Sequence, residues 1–236
     1  MNCTAELLKK IPEKGIFCGC LCYTSDMNRD ALLRLEKLVF EFYWKRKTLA
    51  TPFMTGVMGV LIGLKPTTLQ VNDEFDGKKL LDNERIPKIL DELGLVWAKG
   101  RLRRAQMAKY EYLYVGKTKE LCEDLQGWYE KFSNSISDEG KILDRRVWIE
   151  ANNQIGELLG YPKTATAEYI RRQVEGLDMD DNYMMRLGRN NYYIHSEKFE
   201  EEEFREYDLP LNLAIKEYLP KTAEIMQSNP EKRWLE

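Results

Sequence analysis

Cysteines at positions 18, 20 and 22 stand on alternate places in the stretch GIFCGCLCY (15–23). An extended backbone sends every second side chain to one face, so this spacing predicts three thiols on the same side of a strand. Thiolates gathered there could hold zinc or copper, with Cys3, Cys122 or His195 completing the shell. The spacing works against it. Alternate sulfurs on a straight strand sit roughly 7 Å apart, too far for one tetrahedral ion bonded at about 2.3 Å unless the chain folds back at Gly19. An unligated cysteine behaves as a small hydrophobe, and strand packing is the expectation. No cofactor is expected; Cys18, Cys20 and Cys22 are the candidate ligands of a thiolate metal centre if zinc or copper is bound.

A run of basic residues followed by tyrosines spans 99–114. Lys99, Arg101, Arg103, Arg104 and Lys109 form a connector that leads into Tyr110, Tyr112 and Tyr114. Cations neutralise phosphates and aromatic rings stack on unpaired bases, so these residues, with Tyr112, are the nucleic-acid candidates. The competing interpretation is a solvated hairpin connection with tyrosines half-buried on one side of a strand. The cations could also pair with the acidic stretch 197–208, within the chain or across a homodimer.

Gly116-Lys117-Thr118 has the ending of a phosphate-binding loop. That loop needs a glycine five places earlier, where Glu111 stands, and the tyrosine-rich strand leaves no room for it. LYVGKT (113–118), with GLV at 94–96, resembles the GIY-YIG nuclease motif. The resemblance implies a tyrosine in the first half, where Leu95 and Val96 stand. It also implies an arginine on the next helix, where this chain has Cys122, Glu123 and Asp124. The groups that act on a scissile phosphate are therefore missing.

His195 is the sole histidine and lies among carboxylates that would raise its pKa. With Lys117 it is the catalytic candidate of a hydrolase or nuclease-like enzyme, although no nucleophile is tied to it by a motif. Asp178, Asp180 and Asp181 lack a glutamate at calcium-loop distance and read as a polar loop and helix cap.

Positioning these groups falls to a chain of 236 residues, 43% hydrophobic and 32% charged, which suits a soluble globular protein with its own core. A net charge of −3 exerts no global pull on nucleic acid or an anionic membrane, though a local patch still can. The N-terminus breaks into charge and proline before an apolar run forms, so no cleaved signal is expected. The apolar segment 49–64 is interrupted by Pro52 and three glycines and falls short of the ~20 residues that span a bilayer. No membrane association is expected. Five cysteines without a disulfide framework indicate a reducing, cytoplasmic setting.

Helical spacing of Leu32, Leu35, Leu38, Val39 and Phe42 predicts a helix capped by Ser25 or Asp26. A short buried helix over 53–63, with close contacts at its glycines, stops at Lys65-Pro66. Strands are expected at TTLQVND (67–73), LVWAKG (95–100), AKYEYLYVG (108–116) and RNNYYIH (189–195), with a helix over 82–94 and another from 117. Beyond the polar loop 133–141 the chain reads mainly helical, with a stop and restart at Gly160-Tyr161-Pro162.

NNQIGELLGYPKTATAEYI (152–170) and YDLPLNLAIKEYLPKTAEIM (207–226) resemble DUF483, an uncharacterised, largely archaeal prokaryotic family; the LGYP turn is its most distinctive element. Some members carry cysteines where this chain has Thr164, Ala165 and Thr166, so a thiol role tied to that place would be absent. The resemblance implies a cytoplasmic protein and carries no catalytic residue. Together these observations predict a helix-predominant α+β fold, with an α+β part over 1–135 and a mainly helical part over 141–236 packed as one body. The expected function is non-catalytic binding of a protein partner or small ligand.

Overall fold

The computed structural model describes residues 27–71, 74–75, 78–101, 111–177, 196 and 198–228. Cys18, Cys20, Cys22, Arg103, Arg104, Lys109, His195, the aspartates at 178–181 and the strand expected at 189–195 lie outside them.

Helix α1 (Arg29–Phe42) opens at Asn28, whose side chain accepts the Ala31 amide at 3.1 Å. The cap is thus Asn28, in place of the expected Ser25 or Asp26. Asparagine serves as well as either because its short side chain also reaches back to the first free amides. Leu32, Leu35, Leu38 and Val39 line the buried face as their spacing predicts. Helix α2 (Ala50–Leu61) is apolar all round and nearly all buried, as a central helix must be. Its Gly56 lets strand β1 (Thr67–Val71) come close: a Cβ there would lie 2.2 Å from the Thr68 hydroxyl.

A two-stranded ribbon, β2 (Glu74–Phe75) and β3 (Lys78–Lys79), leads to α3 (Arg85–Glu92). Strands β4 (Val96–Arg101) and β5 (Glu111–Gly116) follow, both in the places expected. The main sheet runs β1-β5-β4 and is antiparallel throughout, with Val71 opposite Tyr112 and Arg101 opposite Glu111. Helices α4 (Lys119–Asn134) and α5 (Arg145–Leu158) are capped by Thr118 and Asp144. Then come α6 (Lys163–Glu175), α7 (Glu200–Glu203), a π turn (Phe204–Asp208), α8 (Leu209–Tyr218) and α9 (Pro220–Gln227). The fold is α+β with helix predominating.

Alternation along β5 divides the interior. Leu113 and Val115 face a large core built from α1, α2, α3, α8 and α9. Tyr112 and Tyr114 point the other way, into a second core with Cys122 and Leu125 of α4 and Ile155 of α5. Central β5 is therefore buried on both faces, and the sheet becomes the middle of three layers.

Glu36 of α1 ties the first described helix to the last. It is 2% exposed and accepts both the amide and the hydroxyl of Thr222, each at 2.8 Å. Thr222 is the third residue of α9, whose own flank offers no side-chain cap. A carboxylate from across the core thus satisfies an amide that the helix cannot, and suits the positive end of its dipole. Glu36→Ala is expected to cost about 2–3 kcal/mol because the Thr222 amide stays buried without an acceptor. Glu36→Gln keeps one acceptor and should cost roughly half that. Urea denaturation of both variants checks this; equal losses would show that the charge of the carboxylate, which glutamine lacks, and not an acceptor oxygen is what the site requires.

Candidate functional site

The chain leaves α2 and doubles back: the amides of Leu64 and Lys65 both donate to the Gly59 carbonyl, each at 3.0 Å. Lys65 therefore lies along the helix it has just left, and its Cδ would be 2.8 Å from a Cβ at position 59. Glycine at 59 leaves the room that the lysine stem occupies. From the other side comes the end of α5. The Tyr161 amide donates to the Gly156 carbonyl at 2.8 Å, and Gly160 takes the left-handed conformation at φ +69°. This is a common way to end a helix, and it turns the chain sharply into Pro162. Here it also sets Gly160 directly on the Leu64–Lys65 backbone, where a Cβ would lie 2.6 Å from the Leu64 carbonyl oxygen. The Thr67 hydroxyl donates to the Leu158 carbonyl at 2.6 Å and closes the contact.

Lys65 is thus enclosed, 6% exposed, with its ammonium 5.4 Å from the centre of the Tyr161 ring. Burial pulls its pKa down to about 8, while the Asp208 carboxylate acts in the opposite direction. Asp208 is itself 3% exposed. Glu203, equally buried, accepts the Ser196 amide at 2.9 Å and the hydroxyl of Thr164 in the first turn of α6. The π turn Phe204–Asp208 starts directly after Glu203 and ends on Asp208. Its i→i+5 pattern brings residues five apart to one side, so Glu203 and Asp208 are both directed inward. The buried Lys65 ammonium thus interacts with the buried Asp208 carboxylate beside the LGYP turn, and Glu203, five residues before Asp208, is buried against Ser196 and Thr164.

Tyr161 joins this cluster to a layer of phenols contributed by Tyr112 and Tyr114 of β5, Tyr129 of α4 and Tyr169 of α6. Burial raises the pKa values of Tyr114, Tyr129, Tyr161 and Tyr169, and for Tyr129 the neighbouring phenols add to it. These four hydroxyls stay protonated at neutral pH. The Tyr114 hydroxyl is buried with no hydrogen-bond partner among the described residues.

The residues singled out from the sequence are dispersed. Lys99 and Arg101 lie exposed on β4. Tyr112 is only 6% exposed and faces the second core, so its ring is not presented to a base. Lys117 is exposed on the turn between β5 and α4, where partial desolvation lowers its pKa. The strand runs straight into the helix capped by Thr118, with no phosphate-wrapping loop between them. Cys122 is fully buried; burial first, and then Glu123, pushes its thiol up to about 11, which makes it a poor nucleophile. Among the described residues no group of three or more His, Cys, Asp or Glu side chains is placed to hold a metal ion. No described helix is long and apolar enough to cross a membrane.

Lys65, Glu203 and Asp208 are absent from the sequence-based candidates. Lys65 reads there as a helix stop beside Pro66, and the two carboxylates merge into an acidic run. The one available signal is a lysine closing the apolar run VLIGLKP (60–66), where a solvated side chain has little water to reach. Compared with family models, curated proteins and solved structures, the chain matches none of them.

Proposed function

We propose that the protein is a cytoplasmic, non-catalytic binding protein that holds a small anionic ligand at Lys65. Burial of the lysine carries this proposal. Exchanging a buried ion pair for well-packed apolar side chains is often neutral or stabilising, so such a pair is a poor device for stability alone. Strongly perturbed ionisable groups concentrate at functional sites, and π turns recur there as well. In the resting protein Asp208 supplies the countercharge. The ligand's anionic group takes its place on Lys65, and the π turn carrying Asp208 yields because its hydrogen-bond geometry is easily rewound into α-helix. The neighbouring phenols add neutral donors. Membership of DUF483 is part of the same proposal and assigns no reaction.

A thermal-shift series tests it, using inorganic phosphate, sulfate and short mono- and dicarboxylates at constant ionic strength. One class is expected to raise the midpoint of the native protein saturably and to leave Lys65→Met/Asp208→Asn unmoved. If none shifts the native protein more than chloride does, or if the double variant responds equally, the proposal fails.

Exposed Lys99 and Arg101 favour a second interpretation, nucleic-acid binding through the connector after β4. With Tyr112 buried, it rests on charge alone, so binding would fall steeply with salt and show little base preference.

A further inference from the structure

The connector between α1 and α2 is a separate surface feature. After the buried Tyr43 comes Trp44, 59% exposed, and Leu49 at the far end is 36% exposed. Between them Lys45, Arg46 and Lys47 are all exposed, and the Lys45 ammonium lies 4.7 Å from the centre of the Trp44 ring. No described carboxylate forms an ion pair with Arg46 or Lys47. Four large hydrophobic side chains are exposed among the described residues, and two of them stand in these six positions. A chain with a net charge of −3 therefore concentrates three successive cations and two exposed apolar groups in residues 44–49, a turn that runs into the 3-10 helix Lys47–Leu49.

We propose that this turn docks on an anionic phospholipid surface. Indole settles at the level of lipid headgroups because its ring is apolar and its N–H finds a partner there. Lysine and arginine are drawn to the negative surface and carry their stems into the interface. Leu49 decides between a bilayer and the other polyanion, a nucleic-acid strand. A leucine offers nothing to a stacked base but gains by entering the acyl boundary. Docking of this kind is peripheral, reversible and needs no spanning helix.

Co-sedimentation with vesicles tests the proposal, comparing phosphatidylcholine alone with phosphatidylcholine mixed with phosphatidylglycerol. The native protein is expected on the mixed vesicles only, and salt should release it. Reversing Lys45, Arg46 and Lys47 to glutamate should weaken partition by roughly a hundredfold or more. Trp44→Ser/Leu49→Ser should also weaken it while leaving the far-UV circular dichroism unchanged. Absence of partition, equal partition on both vesicle types, or full retention by the charge-reversed protein would each overturn the proposal. So would tight binding of single-stranded DNA without any binding to vesicles. Should either variant lose its fold, the lipid and salt dependence of the native protein decides alone.

Discussion

Replacing Gly160 by alanine is expected to lower stability by about 2–4 kcal/mol. Two effects add. At φ +69° an L side chain crowds its own backbone, and the new Cβ would stand 2.6 Å from the Leu64 carbonyl oxygen and 2.9 Å from the Lys65 Cα. Both neighbours are backbone atoms, so no side chain can rotate out of the way. Relief requires the α5 end to part from the Leu64–Thr67 segment, which would also stretch the bond from the Thr67 hydroxyl to the Leu158 carbonyl. Gly140 provides the control: it has φ +81° and nothing within 4 Å of its would-be Cβ, so Gly140→Ala should cost only the backbone part, about 1 kcal/mol. Urea denaturation of the two variants separates the contributions. Equal losses would mean that the contact between the LGYP turn and Lys65 is not a constraint.

The second large effect is in the pH dependence of stability. Lys65 has a pKa of about 8 in the folded protein and 10.5 as its ordinary value. Below pH 8 the lysine is protonated in both states, and the folded state bears the whole cost of holding the charge. Between pH 8 and 10.5 the folded lysine has released its proton while the unfolded one retains it. The unfolded state then binds more protons, so the lysine's contribution to stability rises with pH across this window. The full span is on the order of 3 kcal/mol. Buried tyrosines with raised pKa values act in the opposite direction near pH 10 and above, so the lysine is isolated by difference. Relative to Lys65→Met/Asp208→Asn, the native protein should be less stable at pH 7 and should close the gap by pH 10. Asp208→Asn alone should be the least stable of the three at pH 7, because it leaves the buried ammonium without its countercharge. Parallel stability curves for the native and doubly substituted proteins from pH 7 to 10 would show that Lys65 is not buried as a charge.

If the double substitution stabilises the protein and also abolishes the response to anions, the lysine lowers stability and is retained for binding. That outcome connects the pH prediction to the proposed function. If it stabilises the protein and no anion binds the native form, the cluster is a structural feature with a cost and the binding proposal is lost.

Much of the architecture is local and could be taken from the order of residues. The apolar spacing of α1, the all-apolar run of α2, the alternation in β5 and the stop at Gly160-Tyr161-Pro162 each reflect a preference that acts within a few residues. Periodicity of 2 or 3.6 survives whatever the rest of the chain does. The α1 cap differs from the expected one because several capping residues stand close together at 25–28, and only the local backbone conformation selects among them. Periodicity also placed Tyr112 and Tyr114 on one side of a strand, but not whether that side meets water. Their burial depends on α4 and α5, which follow later in the chain.

The site is of another kind. Lys65 and Asp208 are separated by most of the protein, and neither belongs to a motif. Their significance arises from burial: a charge in water is ordinary, while the same charge enclosed between α2, the LGYP turn and Asp208 of the π turn has its proton affinity reset by the loss of solvent. Desolvation depends on every element that contributes to the enclosure. That is why composition and spacing identified the fold class, and only the assembled tertiary structure identified the lysine.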